Sequence, residues 1–180
     1  MSPALPRRRF VSLALGAALA PCFLRGDDHR SEARRLSFYN THTGEEVDVV
    51  YWAAGDYVKA GLTEIDRALR DHRTGEVAKM DRDLLDLLFA LRQRLEAKSP
   101  FHVISGYRTP ASNEHLRGRS PQSGVAKDSQ HTKAKAVDIR LPGRDLDLVR
   151  DAAAAERRGG VGYYPASGFV HVDVARVRYW

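Results

Sequence analysis

Cysteine is almost absent from this 180-residue chain: Cys22 stands alone, which excludes an intramolecular disulfide and any zinc site built on several thiolates. A bound metal would have to be held by histidine and carboxylate side chains. Also missing is an apolar run of the roughly 20 residues that a membrane-spanning helix needs. The longest, Val11 to Leu24, is shorter and is interrupted by Gly16 and Pro21. No tandem basic and aromatic pattern of the kind carried by nucleic-acid binders is present. The formal charge of +6 is itself thin, because residues 1–30 hold five arginines against two aspartates and so account for half of it. What is left is a mild positive balance that suits an anionic polymer such as cell wall. A hydrophobic content of 43% and a charged content of 29% are those of a soluble globular protein, long enough to bury one core without disulfides.

The first 26 residues have the three-part form of an export signal, with Arg7-Arg8-Arg9-Phe10-Val11 ahead of the apolar run. An arginine pair, one residue, then Phe and an aliphatic resembles the twin-arginine signal, with an ordinary secretory signal or a basic N-terminal anchor as the alternatives. Ala18-Leu19-Ala20 is an acceptable cleavage site, although Pro21 follows it, and Leu19 to Cys22 is an imperfect lipoprotein box. A soluble, exported, periplasmic monomer is expected, with no stable membrane insertion once the signal is removed. Residues 27–35 are polar and read as a linker, and 36–180 as a single domain.

Within that domain Leu36 to Trp52 alternates as a β-hairpin around Asn40-Thr41-His42-Thr43-Gly44, with His42 a solvated turn residue. Asp56 to Asp71 and Asp81 to Lys98 carry apolar stripes at helical spacing, the second through Leu84, Leu88, Leu91 and Leu95. Phe101 to Ile104 reads as a strand, and Thr109-Pro110 as the cap and first residue of a short helix to Leu116. Gly118 to Lys127 is a loop, Lys135 to Leu141 a strand, and Asp145 to Arg158 a helix stopped by Gly159-Gly160. Val161 to Tyr164 and Phe169 to Val177 are the last strands, joined by a turn over Pro165 to Gly168.

Chemistry concentrates in two stretches. Around Ser129-x-His131, a loop crowded with small residues runs into a strand where Val137, Ile139 and Leu141 alternate with Ala136, Asp138 and Arg140. In the last strand Val170, Val172 and Val174 alternate with His171 and Asp173. Each strand hides aliphatics on one face and holds polar groups on the other. If the two are antiparallel neighbours, His131, Asp138 and His171 converge. Two imidazoles and a carboxylate are a known ligand set for catalytic zinc, leaving a fourth position for water. Zinc lowers the pKa of that water from about 15.7 to about 7. Ser129 would brace the His131 loop by a hydrogen bond.

The pattern Ser129-x-His131-x-x-Ala134-x-Ala136-x-Asp138, with Ser105-Gly106-Tyr107-Arg108 before it and His171 after it, resembles the LAS-type zinc peptidases. That superfamily takes in D-alanyl-D-alanine carboxypeptidases and dipeptidases and the hedgehog domain. Within it, the YcbK-like murein endopeptidases are the most similar, over essentially Leu36 to Trp180. The resemblance implies one Zn²⁺ per chain on His131, Asp138 and His171, with Arg108 steadying the developing oxyanion. It implies hydrolysis of peptide cross-links in peptidoglycan stem peptides. The alternatives are a carboxypeptidase or dipeptidase trimming D-Ala ends, and a non-catalytic zinc-containing wall-binding module. One part does not carry over: where the dipeptidase branch has a glutamate as general base, three residues before the last histidine, this chain has Gly168. Asp173 is the local substitute, as the base or as an acceptor that supports a ligand imidazole. The expected fold is α+β, a small antiparallel sheet with helices packed on one side.

Overall fold

The alternation read from Leu36 to Trp52 is a hairpin in the computed structural model, which describes residues 33–119 and 124–180. The export signal and residues 27–32 of the linker lie outside the described residues, as does the middle of the Gly118–Lys127 loop. Strands β1 (Arg34–Asn40) and β2 (Glu46–Ala53) pair antiparallel, with Leu36 opposite Val49 and Phe38 opposite Val47. The Asn40 side chain builds the turn by accepting from the backbone N–H groups of His42 and Thr43. His42 is exposed there, as expected, and its ring stacks on His72 at 3.8 Å between centroids. β1 starts two residues earlier than the linker reading allows. Arg34 is held in place by an ion pair with Asp86 and by the Trp52 ring 4.5 Å away.

The helix expected over Asp56–Asp71 begins late. Ala54 and Gly55 both have positive φ, 52° and 90°, which is the geometry of a tight hairpin turn, and Asp56–Tyr57 form the short strand β3 against β2. Helix α1 (Lys59–Ala68) follows, then α2 (Arg82–Arg94), whose N-cap Asp81 accepts from Asp83 N. Leu84, Leu88 and Leu91 of α2 and Ile65 of α1 are fully buried, so the apolar stripes face the core as expected.

The two helices between β3 and β4 (Phe101–Ser105) complete the crossover that a parallel pairing requires, and β4 lies parallel to β1. Thr109 caps α3 (Pro110–Gly118) by accepting from Ser112 N. β5 (Ala136–Arg140), α4 (Leu146–Glu156), β6 (Gly160–Tyr164) and β7 (Phe169–Asp173) complete the main frame. α4 ends on Arg157 in the left-handed region at φ 52°, ahead of the glycine pair that was expected to stop it. The last expected strand is shorter too. Asp173 closes β7 by accepting from Ala175 N, which turns the chain so that β8 (Arg178–Tyr179) runs parallel to β6.

The sheet is therefore larger than predicted and is not purely antiparallel. Among the described residues it has eight strands in the order β3-β2-β1-β4-β5-β7-β6-β8, two of the neighbour pairs being parallel. The α+β class holds, with α2 packed on α4 and both helices on the sheet. Among the described residues no helix is long and apolar enough to cross a membrane.

α1 sits unusually close to the sheet. A Cβ at Gly61 would lie 2.1 Å from the Val50 carbonyl oxygen, so the helix backbone rests directly on β2. Gly to Ala inside a helix ordinarily gains about 0.5–1 kcal/mol. Here the expected sign is reversed: Gly61→Ala should destabilise by about 1–3 kcal/mol through overpacking, read as a lowered midpoint in urea unfolding.

Candidate metal centre

Register brings the predicted ligands together. In the β5–β7 pair, Val137 faces Val172 and Ile139 faces Val170 on the apolar side of the pleat. On the other side Asp138 faces His171 and Ala136 faces Asp173. His131 arrives from a single 3-10 turn, Gln130–Lys133. Ser129 caps that turn, its Oγ accepting from His131 N at 3.3 Å, and Ala134 leaves it in the left-handed region at φ 55°. The turn is tied on both sides: Arg108 N donates to His131 O, and Asp81 N, at the start of α2, donates to Ala134 O.

The three side chains meet in a triangle. His131 Nε2 lies 3.2 Å from Asp138 Oδ1 and 3.1 Å from His171 Nδ1, and the last two are 2.8 Å apart. All three residues are buried, with exposures of 1%, 4% and 8% for His131, Asp138 and His171. The far side of each imidazole decides what faces inward. His131 Nδ1 is 2.7 Å from Gly106 O, and a carbonyl can only accept, so Nδ1 carries the proton and Nε2 presents a lone pair. His171 lies between two carboxylates, with Nε2 3.0 Å from Asp173 Oδ2 and Nδ1 2.8 Å from Asp138 Oδ1. Burial pulls its pKa down, but the two carboxylates raise it above the usual histidine range, and Nδ1 presents a lone pair inward once its proton gives way to a metal cation. With that proton gone, two imidazole lone pairs and a carboxylate oxygen aim at one point, a set of donors that a metal cation in its place would satisfy. The edges of about 3 Å are close to the roughly 3.3 Å that tetrahedral zinc with bonds of about 2.0 Å requires. The donor set fits a metal ion. Burial pushes His131 below the usual histidine range, which keeps it neutral, as a ligand must be. Burial would raise the Asp138 carboxyl, but the two histidines hold it well below the ordinary range and it stays ionised.

Arg108 is buried beside this triangle. Its Nε donates to Ser105 Oγ at 2.9 Å and its Nη2 to Asp138 Oδ2 at 2.8 Å. The guanidinium therefore occupies one Asp138 oxygen and leaves the other turned to the histidines. Nη1 makes no hydrogen bond among the described residues and remains available to the cleft that Arg108 lines.

Asp173 is placed behind His171 and is fully buried. Besides facing the imidazole, its carboxylate accepts from Gly160 N, Ala175 N and both terminal nitrogens of Arg178. Burial pushes its pKa up, but His171, Arg178 and the two backbone N–H groups together hold it well below the usual range. A carboxylate so surrounded is a poor proton acceptor. Gly168, where a related branch has glutamate, is in a turn at φ 70°. The carboxylates that do line the cleft are Asp138 and Asp128, the latter ion-paired to Lys133 at 2.9 Å.

Several supporting residues escaped sequence reasoning. Asp71, just past α1, accepts from Thr109 N and Thr109 Oγ1 and so pins the segment that carries Arg108. Tyr107 N donates to Leu69 O, and a Cβ at Gly106 would sit 2.3 Å from that same oxygen. Only glycine fits there, and its carbonyl is the one that fixes the His131 tautomer. Nothing in the spacing of Asp71 distinguishes it from a solvated helix-end acid. The glycine of Ser105-Gly106-Tyr107-Arg108 was noted only for the arginine two places later.

A comparison with protein families matches residues 28–180 to the family described as Peptidoglycan L,D-endopeptidase MepK. Among curated proteins, the chain is 38% identical over 177 residues to the peptidoglycan L,D-endopeptidase MepK of Escherichia coli (strain K12), covering 97% of this chain and 96% of that protein. The same identity and coverage are found with the MepK protein of Shigella flexneri. A probable peptidoglycan L,D-endopeptidase MepK from Haemophilus influenzae is 38% identical over 178 residues, 97% of this chain and 95% of its own length.

Asp71 yields a pH prediction. Burial alone would raise its pKa, but hydrogen bonds from Ser112, Thr109 and Arg73 hold it down at about 2, against an ordinary 3.8. A carboxyl lowered by folding stabilises fully above its unfolded value and loses that stabilisation as pH falls through its folded value. The wild type should lose about 2 kcal/mol on this account between about pH 4 and pH 2. Asp71→Asn, weaker at neutral pH, should show no such extra loss when urea unfolding is followed over the same range.

Proposed function

Because the chain belongs to the peptidoglycan L,D-endopeptidase family matched over residues 28–180, we propose that it is an exported, zinc-dependent murein endopeptidase. It hydrolyses peptide cross-links between peptidoglycan stem peptides in the periplasm, to which the twin-arginine-like signal directs it. The observation that carries the reading is the inward convergence of His131 Nε2, Asp138 Oδ1 and His171 Nδ1, within 3.2 Å of one another. These residues would hold one Zn²⁺. Bound there, the metal supplies activation of water and polarisation of the amide carbonyl.

The remaining steps belong to the chain's own groups. Arg108 orients Asp138 through Oδ2, and its unused Nη1 edge is the electrostatic partner for the charge that grows on the carbonyl oxygen. Ser129 holds the His131 turn at its cap. Asp173 keeps the His171 ring oriented by accepting from Nε2, and it is itself clamped by Arg178. The support role is favoured over the base role for Asp173 by its enclosure and its five donors.

Purified wild type should convert cross-linked muropeptide dimers to monomers, and His131→Ala should not. Wild-type protein that releases only D-alanine, or a His131→Ala variant that digests isolated murein at the wild-type rate, would contradict the reading. Asp173→Asn separates its two roles. As an orienting acceptor, its loss should weaken zinc binding about 10–100-fold while excess zinc restores turnover. A variant that binds zinc normally yet stays inactive would make Asp173 the base.

A further inference from the structure

The end of the described chain lies across the metal centre, not beyond it. Trp180 N donates to Val161 O at 3.2 Å and Tyr163 N donates to Trp180 O at 2.9 Å, so its backbone extends the β6–β8 pairing. The side chains of this segment cross β6 where it has no side chains of its own. A Cβ at Gly162 would lie 2.7 Å from the indole of Trp180, and one at Gly160 would lie 2.5 Å from Arg178 Nη1. The glycines of β6 are therefore a channel into which Arg178 and Trp180 fit. Gly162 is the register partner of His171, so the indole is brought onto the face of the sheet that carries the metal ligands. Its ring centroid is 5.4 Å from that of His171.

The indole is fixed on several sides. Nε1 donates to the Tyr164 hydroxyl at 2.7 Å, and the Arg178 guanidinium carbon is 4.8 Å from the ring centroid. Tyr164 stacks on its register partner Phe169 at 4.7 Å and 24°. Trp180, Tyr164 and Phe169 form one continuous aromatic side of the cleft that opens on the three ligands. For all this bracing, Trp180 keeps 49% of its surface exposed. A large apolar ring held rigid and half uncovered gains little for folding, but it offers a ligand a contact surface whose ordering cost is already met.

We propose that Trp180, braced by Tyr164, Phe169 and Arg178, is the substrate-binding wall of the cleft. It packs against the aliphatic part of the stem-peptide residue next to the scissile amide. The inference rests on the murein-endopeptidase reading for the identity of the peptide, and on the structure for the surface. Peptide is favoured over glycan as the occupant for two reasons. The indole lies at the metal ligands, where the amide must sit. The cleft of about 140 Å³ is also well below the roughly 300–1,000 Å³ of sites that enclose drug-sized ligands, so it suits a side chain better than a disaccharide.

Two measurements test it. In steady-state hydrolysis of purified muropeptide dimers, Trp180→Ala should raise KM about tenfold with kcat and bound zinc near wild type, and Trp180→Phe should restore most of the KM. An unchanged KM, or a loss of activity that parallels loss of zinc, would overturn the proposal and make Trp180 a structural clasp. The chain has two tryptophans, so Trp52→Phe leaves Trp180 as its sole indole reporter. Its fluorescence should shift on adding the free stem peptide and stay unchanged with the peptide-free disaccharide. No response to the peptide, or a response to the disaccharide alone, counts against it. Wild-type protein that fails to cut the dimers while Trp180 still responds to the peptide would instead remove the catalytic reading and leave the wall standing.

Discussion

Two imidazole nitrogens and a carboxylate oxygen crowded onto one buried point set the terms for the rest of this molecule. His131 Nε2, Asp138 Oδ1 and His171 Nδ1 lie 2.8–3.2 Å apart in a buried site. Buried acceptors left facing one another are costly, and a cation relieves that cost. The arrangement persists because each ligand is anchored from behind. Gly106 O accepts a hydrogen bond from His131 Nδ1, Asp173 accepts one from His171 Nε2, and Arg108 occupies the second oxygen of Asp138. Each anchor is itself held: the Gly106–Thr109 segment by Leu69 and Asp71, Asp173 by Arg178.

Seen this way, the two ends of the domain serve one site. The turn after α1 positions Arg108 and the His131 tautomer, and the β8 segment positions His171 and lays Trp180 along the cleft. The core supplies the stiffness between them. Val137, Ile139, Val170 and Val172 are fully buried on the back of the strands that carry Asp138 and His171. A one-residue slip of β5 against β7 would send Asp138 to the apolar side, away from His171, so burial of the four aliphatics enforces the register that brings the two together.

The sequence made the ligands legible because their constraint is periodic. Alternation of aliphatic with polar residues in two strands singled out Asp138 and His171, the loop of small residues entering the first strand added His131, and the family resemblance added Arg108. The helices of Leu84, Leu88 and Leu91 were legible for the same reason. What was missed depends on contacts without period. The parallel β1–β4 pairing arises from a crossover, strand β3 after the Ala54–Gly55 turn replaced the first turn of an expected helix, and Asp71 acts through a segment 38 residues away. Asp173 was read correctly as sharing the face of His171, but its donors come from Gly160, Ala175 and Arg178, and no strand pattern announces them. Trp180 carried no signal by itself. Its meaning comes from the glycines it covers.

The most direct test of the account is zinc K-edge absorption on protein purified without added metal, together with elemental analysis. The account predicts one zinc per chain with a light-atom first shell of two imidazoles and a carboxylate, lost when His131 or His171 is replaced by alanine. Protein that holds no stoichiometric metal, or a shell without imidazole scattering, would contradict it.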